Sequence, residues 1–143
     1  MDINTTGGLL KRSTRRFDQI MNAGLLAHKL TASQFKTLKF IQSRPKGTVR
    51  QIDIEEFFGM TNPTITGIIK NLEKKGLIER YLHPDDRRCK IVQIAEEAGK
   101  LLSIYREFDE AAERKLTENL NQTERRQLRC LLFKLLGEEE ANV

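Results

Sequence analysis

At Gly76 the hydrophobic period of this 143-residue chain changes from 3.6 to 2. That change restricts the available folds more than any other feature. Before it, Thr61–Gly76 (TNPTITGIIKNLEKKG) reads as an amphipathic helix, with Ile65, Ile68, Ile69 and Leu72 on one stripe at i, i+3, i+4 and i+7. Thr61 or Asn62 supplies the N-cap, and Pro63 sits in the first turn, where its missing donor is harmless. Lys74 and Lys75 occupy the last turn, and Gly76 gives the left-handed stop. After the change, Leu77–Leu82 and Lys90–Ile94 alternate as two strands around a charged tip, His83–Cys89. Upstream, Thr48 is expected to cap a short helix ending near Phe58, with Ile52, Ile54, Phe57 and Phe58 as its core residues. Helix, glycine turn, helix and hairpin together form a winged helix-turn-helix.

The outer face of the Thr61 helix carries Asn62, Thr64, Thr66, Gly67, Lys70 and Asn71. A solvated helix face usually carries Glu–Lys pairs. Short hydroxyl and amide groups with one Lys instead suit a helix pressed into a DNA groove, against base edges and phosphates. The plainer alternative is a Thr-rich surface helix with no partner. Charge bears on the choice: the net +5 divides into +5 over residues 1–40, +3 over 41–90 and −3 over 91–143. The basic bias therefore lies in the first two thirds, which fits a nucleic-acid partner without proving one.

Helices are also expected on both sides of this part. Residues 8–29 place Leu10, Phe17, Ile20, Met21 and Leu25 on one side, with Lys11, Arg12, Arg15 and Arg16 on the other. Thr31 and Gln34 have capping-box spacing at the head of the next helix, which Arg44-Pro45-Lys46-Gly47 ends. A long helix follows from Glu96, with Leu101, Tyr105, Phe108, Ala112 and Leu116 as its stripe; Thr123 is then expected to cap a last helix bearing Leu128, Leu131, Leu132, Leu135 and Leu136. These stripes exceed what a small winged helix needs, so the fold class is mainly α with a small β-hairpin wing, flanked by N- and C-terminal dimerisation helices. The chain is read as one domain, 1–143, with residues 31–95 as the DNA-binding part and 8–29 and 96–140 as the dimerisation helices.

Two cysteines, Cys89 and Cys130, are too few for a disulfide framework and have no metal-ligand spacing. No apolar run approaches a membrane span, and a cytoplasmic protein is expected. Catalytic triads, paired-carboxylate motifs and phosphate loops are absent, so neither an enzyme nor a cofactor is expected. A winged helix used only for protein–protein contact is the remaining alternative; the short polar helix face and the arginine-tipped wing argue against it.

The segments LTASQFKTL (30–38), NLEKKGLIER (71–80) and DDRRCKIVQI (85–94) resemble the MarR (multiple antibiotic resistance regulator) family of bacterial winged-helix transcription factors. The order of elements matches over nearly the whole chain. The resemblance implies a homodimeric regulator, a repressor by expectation, with interleaved terminal helices on a pseudo-palindromic double-stranded DNA operator. It also implies release by a small aromatic effector or by cysteine oxidation. Expected DNA contacts are Arg50, Gln51, Thr61, Asn62, Thr64, Thr66, Lys70, Arg87 and Arg88. Asp86 matches the carboxylate that orients the wing arginine in the family, and a mutual surface salt bridge is the alternative. Arg16, His28 and Tyr105 are the expected ligand-pocket residues, although a histidine so placed is more often an ordinary surface or core residue. Cys89, beside Arg87, Arg88 and Lys90, is the expected redox residue, since positive neighbours favour a reactive thiolate; the alternative is a small wing residue. Cys130 is expected to pack. One departure is visible: the family's Leu-Thr after the second wing strand is Ile94-Ala95 here, and losing a Thr cap costs about 1 kcal/mol.

Overall fold

The structure, a computed structural model, describes residues 2–140. Its elements are α1 (Thr6–Leu25), α2 (Ala32–Gln42), α3 (Gln51–Phe58), α4 (Asn62–Lys74), β1 (Ile78–His83), β2 (Asp86–Ile94), α5 (Gly99–Leu116) and α6 (Gln122–Leu136), with single 3₁₀ turns at Leu26–His28 and Glu96–Ala98. The result is the expected fold class, six helices and one two-stranded antiparallel sheet. The chain divides into two compact units, Met21–Phe108 and the segments flanking it on both sides.

Within Met21–Phe108, α4 is built as its period demands. Ile65, Ile69 and Leu72 are fully buried and Ile68 half-buried, each full burial stabilising by about 1.5–3 kcal/mol. Thr61 is the N-cap residue by backbone geometry, but its hydroxyl makes no cap bond; it shares a hydrogen bond with the Thr64 hydroxyl at 3.1 Å. At the other end Gly76 adopts φ +71°, and the N–H groups of Gly76 and Leu77 donate to the carbonyls of Glu73 and Leu72. This pairing of bonds satisfies the last carbonyls and turns the chain into β1. The Arg80 guanidinium then reaches back to Glu73 with two bonds of 3.0 Å, clamping β1 to α4.

The hairpin runs in register from Ile78↔Ile94 to Leu82↔Lys90, then jumps to His83↔Asp86. One step along β1 is matched by four along β2, so Arg87, Arg88 and Cys89 form a bulge rather than the loop expected of 83–89. Val92 N–H donates to Val49 O at 2.9 Å, and Arg50 bridges Ile91, adding a short edge before α3. That edge corrects the expected start of α3. Val49 and Arg50 are still extended, so Arg50 is the N-cap residue and Asp53 accepts its N–H at 2.9 Å. The Thr48 hydroxyl turns back to the Pro45 carbonyl at 2.6 Å and caps nothing.

Two expected core residues of α3 are corrected as well. An eight-residue helix has one inward face, and Ile54 and Phe58 share it four residues apart, buried and half-buried. Ile52 and Phe57 fall outside it, 48% and 61% exposed. In α2 the Thr31–Gln34 capping box forms as expected, with bonds of 3.1 and 3.2 Å. At the far end of the unit, Ala95 makes no side-chain cap. The chain instead takes a 3₁₀ turn over Glu96–Ala98, buries Ala98, and begins α5 at Gly99.

In the flanking unit, Asn121 rather than Thr123 caps α6. Its side chain accepts from Glu124 N–H at 2.8 Å, and Glu124 accepts from Asn121 N–H at 2.9 Å. Asn and Thr both cap well, and the box closes on whichever has a Glu or Gln three residues on; Asn121 has Glu124 there, and Thr123 does not. Leu128, Leu131, Leu135 and Leu136 on α6 are exposed, and so, against expectation, is Cys130.

Candidate nucleic-acid interface

The outer face of α4 has no core duty. Asn62, Thr64, Gly67, Lys70 and Asn71 are all exposed. A Cβ built on Gly67 would meet nothing within 4 Å, so this glycine leaves the middle of the face open to close approach. Thr66, expected on the same face, is only half-exposed. Its hydroxyl accepts from Gln51 Nε2 at 2.9 Å and donates to Asn62 Oδ1 at 3.5 Å. Asn62 Nδ2 donates in turn to Glu55 Oε1 at 2.7 Å. Gln51, expected to meet a phosphate, is buried beneath this face, and its Oε1 has no hydrogen-bond partner among the described residues. Gln51 is therefore a buried support for Thr66 rather than an exposed arm.

Beside α4 lies the wing. A groove of about 410 Å³ between α3, the start of α4 and the bulge is lined by Arg50, Gln51, Glu55, Asn62, Arg88 and Lys90, among others. Arg87 and Arg88 are exposed. Asp86 accepts the backbone N–H of Arg88 at 3.0 Å, and no ion pair joins it to that guanidinium among the described residues. The expected orienting pair is therefore a backbone one: the carboxylate shapes the bulge and leaves the guanidinium outside the contact. Cys89 is half-buried in the same bulge and is a free thiol. Arg50 pairs with Asp53, its guanidinium reaching Oδ1 at 2.7 Å and Oδ2 at 3.2 Å. That pair holds the Asp53 carboxyl below its ordinary range and raises Arg50 further.

The expected ligand residues separate. His28 and Tyr105 do meet, ring centroids 5.6 Å apart and edge to face, in a cluster with Phe35 and Phe108. Tyr105 is buried, and desolvation raises its pKa. Arg16 belongs to the other unit, where it pairs with Glu118 at 3.5 Å. A cleft of about 310 Å³ in the Met21–Phe108 unit, lined by Ile41, Arg44, Val49, Val92, Ile94 and Leu102 among others, involves none of these three. Among the described residues no group of three or more His, Cys, Asp or Glu could hold a metal ion, and no helix is long and apolar enough to cross a membrane.

Sequence reasoning missed two polar devices. Lys75 Nζ donates to the carbonyl of Lys29, which has φ +55°, and to Gln34 Oε1 at 2.9 Å, tying the end of α4 to the head of α2. The other is the Gln51–Thr66–Asn62–Glu55 chain. Neither has a local signal, because the bonds that join one helix to another span 7 to 46 residues.

A sequence model described as the MarR family matches residues 30–90. In structure the chain is similar to a MarR-family transcriptional regulator from Rhodococcus sp. RHA1, with 26% identity, TM-score 0.82 and 90% of each chain covered. It is similar to S. aureus MepR in complex with DNA, with 26% identity, TM-score 0.80, and coverage of 93% of this chain and 97% of that one. It also shares its fold with a mutant of E. coli MarR complexed with operator DNA, at 24% identity and TM-score 0.81, covering 94% and 95% of the two chains.

Proposed function

We propose that this chain is a member of the MarR family of DNA-binding transcriptional regulators, which its sequence match and structural likeness support, and that it acts as a homodimeric repressor on a pseudo-palindromic operator. One observation carries the reading: α4 presents a face of short polar groups around Gly67, free of any packing role, beside an arginine-bearing bulge. The similar chains from S. aureus and E. coli were crystallised on DNA. In a dimer two such helices meet successive major grooves about 34 Å apart. Thr61, Asn62 and Thr64 then lie at base edges, with Thr66 held back as a support. Lys70 and Arg50 lie at phosphates, and Arg87 and Arg88 lie at the minor groove, whose negative potential draws arginine.

The exposed leucines of α6 support the dimer, since a monomer rarely leaves such a stripe to water. Release by a small aromatic effector is the regulatory part of the reading; the 310 Å³ cleft, with apolar walls and Arg44 among its lining, is of a size to take one.

The test uses an operator obtained by selection from a random DNA pool. Lys70→Ala should weaken binding to operator and random duplex alike and reduce the salt slope by about one. Thr64→Ala should cost roughly 1–3 kcal/mol on the operator and little on random DNA. Equal losses on both DNAs for Thr64→Ala would show that α4 is not the reader. Sedimentation showing a monomer at micromolar concentration would remove the two-fold operator.

A further inference from the structure

The four side chains Gln51, Thr66, Asn62 and Glu55 form a hydrogen-bond chain with one consistent direction. Gln51 Nε2 donates to the Thr66 hydroxyl, which points its own hydrogen at Asn62 Oδ1, and Asn62 Nδ2 donates to Glu55 Oε1. The Glu55 end sets the sense. A carboxylate can only accept, so Glu55 forces the NH₂ side of the Asn62 amide toward itself. That leaves the Asn62 carbonyl facing Thr66, whose hydroxyl accepts from Gln51 and donates to it. Flipping the amide would set two oxygens against each other at Glu55. Asn62 is therefore held in one of its two orientations, with one N–H and one carbonyl lone pair left over on an exposed side chain in the first turn of α4.

Glu55 needs an explanation on other grounds. It lines the groove that also holds Arg50, Arg88 and Lys90, where a carboxylate repels DNA phosphates. Asp86 in the same groove is used by the Arg88 backbone. Glu55 has no such structural partner: among the described residues its carboxylate bonds to Asn62 alone.

We propose that Glu55 is a positioning residue for specificity: it trades general DNA affinity for a fixed Asn62 carboxamide, which reads one base pair as a donor–acceptor pair, the pattern of an adenine edge. The proposal rests on the reading of α4 as the recognition helix and adds the residue that orients its first contact. Linked hydrogen bonds polarise one another, so removing the carboxylate loosens the whole chain.

The test compares Glu55→Gln, Asn62→Ala and the double variant with wild type on the selected operator and on random duplex, and repeats the selection with each. Glu55→Gln keeps size and shape but lets the Asn62 amide turn over. Its operator affinity should fall by about tenfold, the size expected for a bond to a charged group. Affinity for random duplex should stay level or rise, because a repulsive charge is gone. The selected site should become degenerate at the same base pair that Asn62→Ala loosens, and the double variant should be no worse than Asn62→Ala. If Asn62→Ala loses that base preference while Glu55→Gln keeps it at wild-type affinity, the positioning role is overturned and the recognition helix stands. Equal loss on both DNAs for Glu55→Gln, with a lowered melting temperature, also overturns it, as a general structural effect. If Asn62→Ala leaves all base preferences intact, the assignment of the first turn of α4 as a base reader fails, and this role with it.

Discussion

Gly24→Ala tests the packing of the aromatic cluster. Gly24 lies near the end of α1, where a Cβ built on its backbone would stand 1.7 Å from Cε2, 2.3 Å from Cζ and 2.8 Å from Cδ2 of Phe108. No real Cβ sits so close, so the ring must move. It is not free to do so at no cost, because it packs edge to face on Phe35 at 6.0 Å and near His28 at 6.4 Å. Local propensity pulls the other way: alanine is better than glycine in a helix interior by about 1 kcal/mol. Forcing an extra carbon into a packed core costs about 1–3 kcal/mol, and losing aromatic geometry adds about 0.5–1.5 kcal/mol per pair. Packing outweighs propensity, and the variant should be less stable than wild type by about 1–3 kcal/mol. Urea unfolding at fixed protein concentration measures this. Phe108→Leu in the same background supplies the control: with the ring gone the alanine should fit, so the two changes should be markedly less than additive. A Gly24→Ala protein more stable than wild type would refute the reasoning, since helix propensity would then have acted alone.

Three further outcomes follow from single contacts. The Arg80 guanidinium holds the Glu73 carboxyl below its ordinary 4.5. A depressed folded value means the stabilisation is fully present above about pH 4.5 and is lost as pH falls through the lower folded value; acid titration of Glu73→Gln should show a shallower loss there, and the effect is below 1 kcal/mol because Glu73 is 40% exposed. Asn121→Ala should lower stability by about 1 kcal/mol in thermal or urea unfolding, while Thr123→Ala stays within a few tenths, because the cap of α6 lies at Asn121. Arg87→Ala and Arg88→Ala should weaken operator binding most on A·T-flanked sites without changing the melting temperature, a comparison read by gel shift on flank-substituted duplexes.

The expectations that held are those decided by local pattern. The stripe of α4, its Gly76 stop, the Thr31–Gln34 box and the strand character of 77–82 each depend on neighbours within one or two turns. The misses share the opposite property. Thr48 has good capping chemistry, but Val49 and Arg50 are pulled into the edge of the sheet by Val92 and Ile91, some forty residues on. Ile52 and Phe57 are as apolar as Ile54, and only the choice of one face by an eight-residue helix separates them. The bulge was hidden because Asp86–Arg88 is all charged and Cys89 alone cannot show a strand's alternation. Its pairing is fixed instead by the backbone register of His83 with Asp86.

The candidate interface shows the same division at the level of single side chains. That α4 has a polar outer face was legible, because the positions left over from a buried stripe are known once the stripe is known. Which of those side chains is still available to a partner was not. Thr64 and Thr66 are the same residue two positions apart, yet Thr66 turns partly inward and is taken by Gln51, while Thr64 stays exposed and shares a hydrogen bond with the Thr61 hydroxyl. Gln51 and Glu55, one turn apart on α3, support Thr66 and Asn62, also one turn apart on α4, so the spacing of one helix is matched to that of the other. That match of two helical periods is a tertiary fact. It makes the orientation of Asn62 depend on α3, a helix whose other role here is to hold the core together through Ile54.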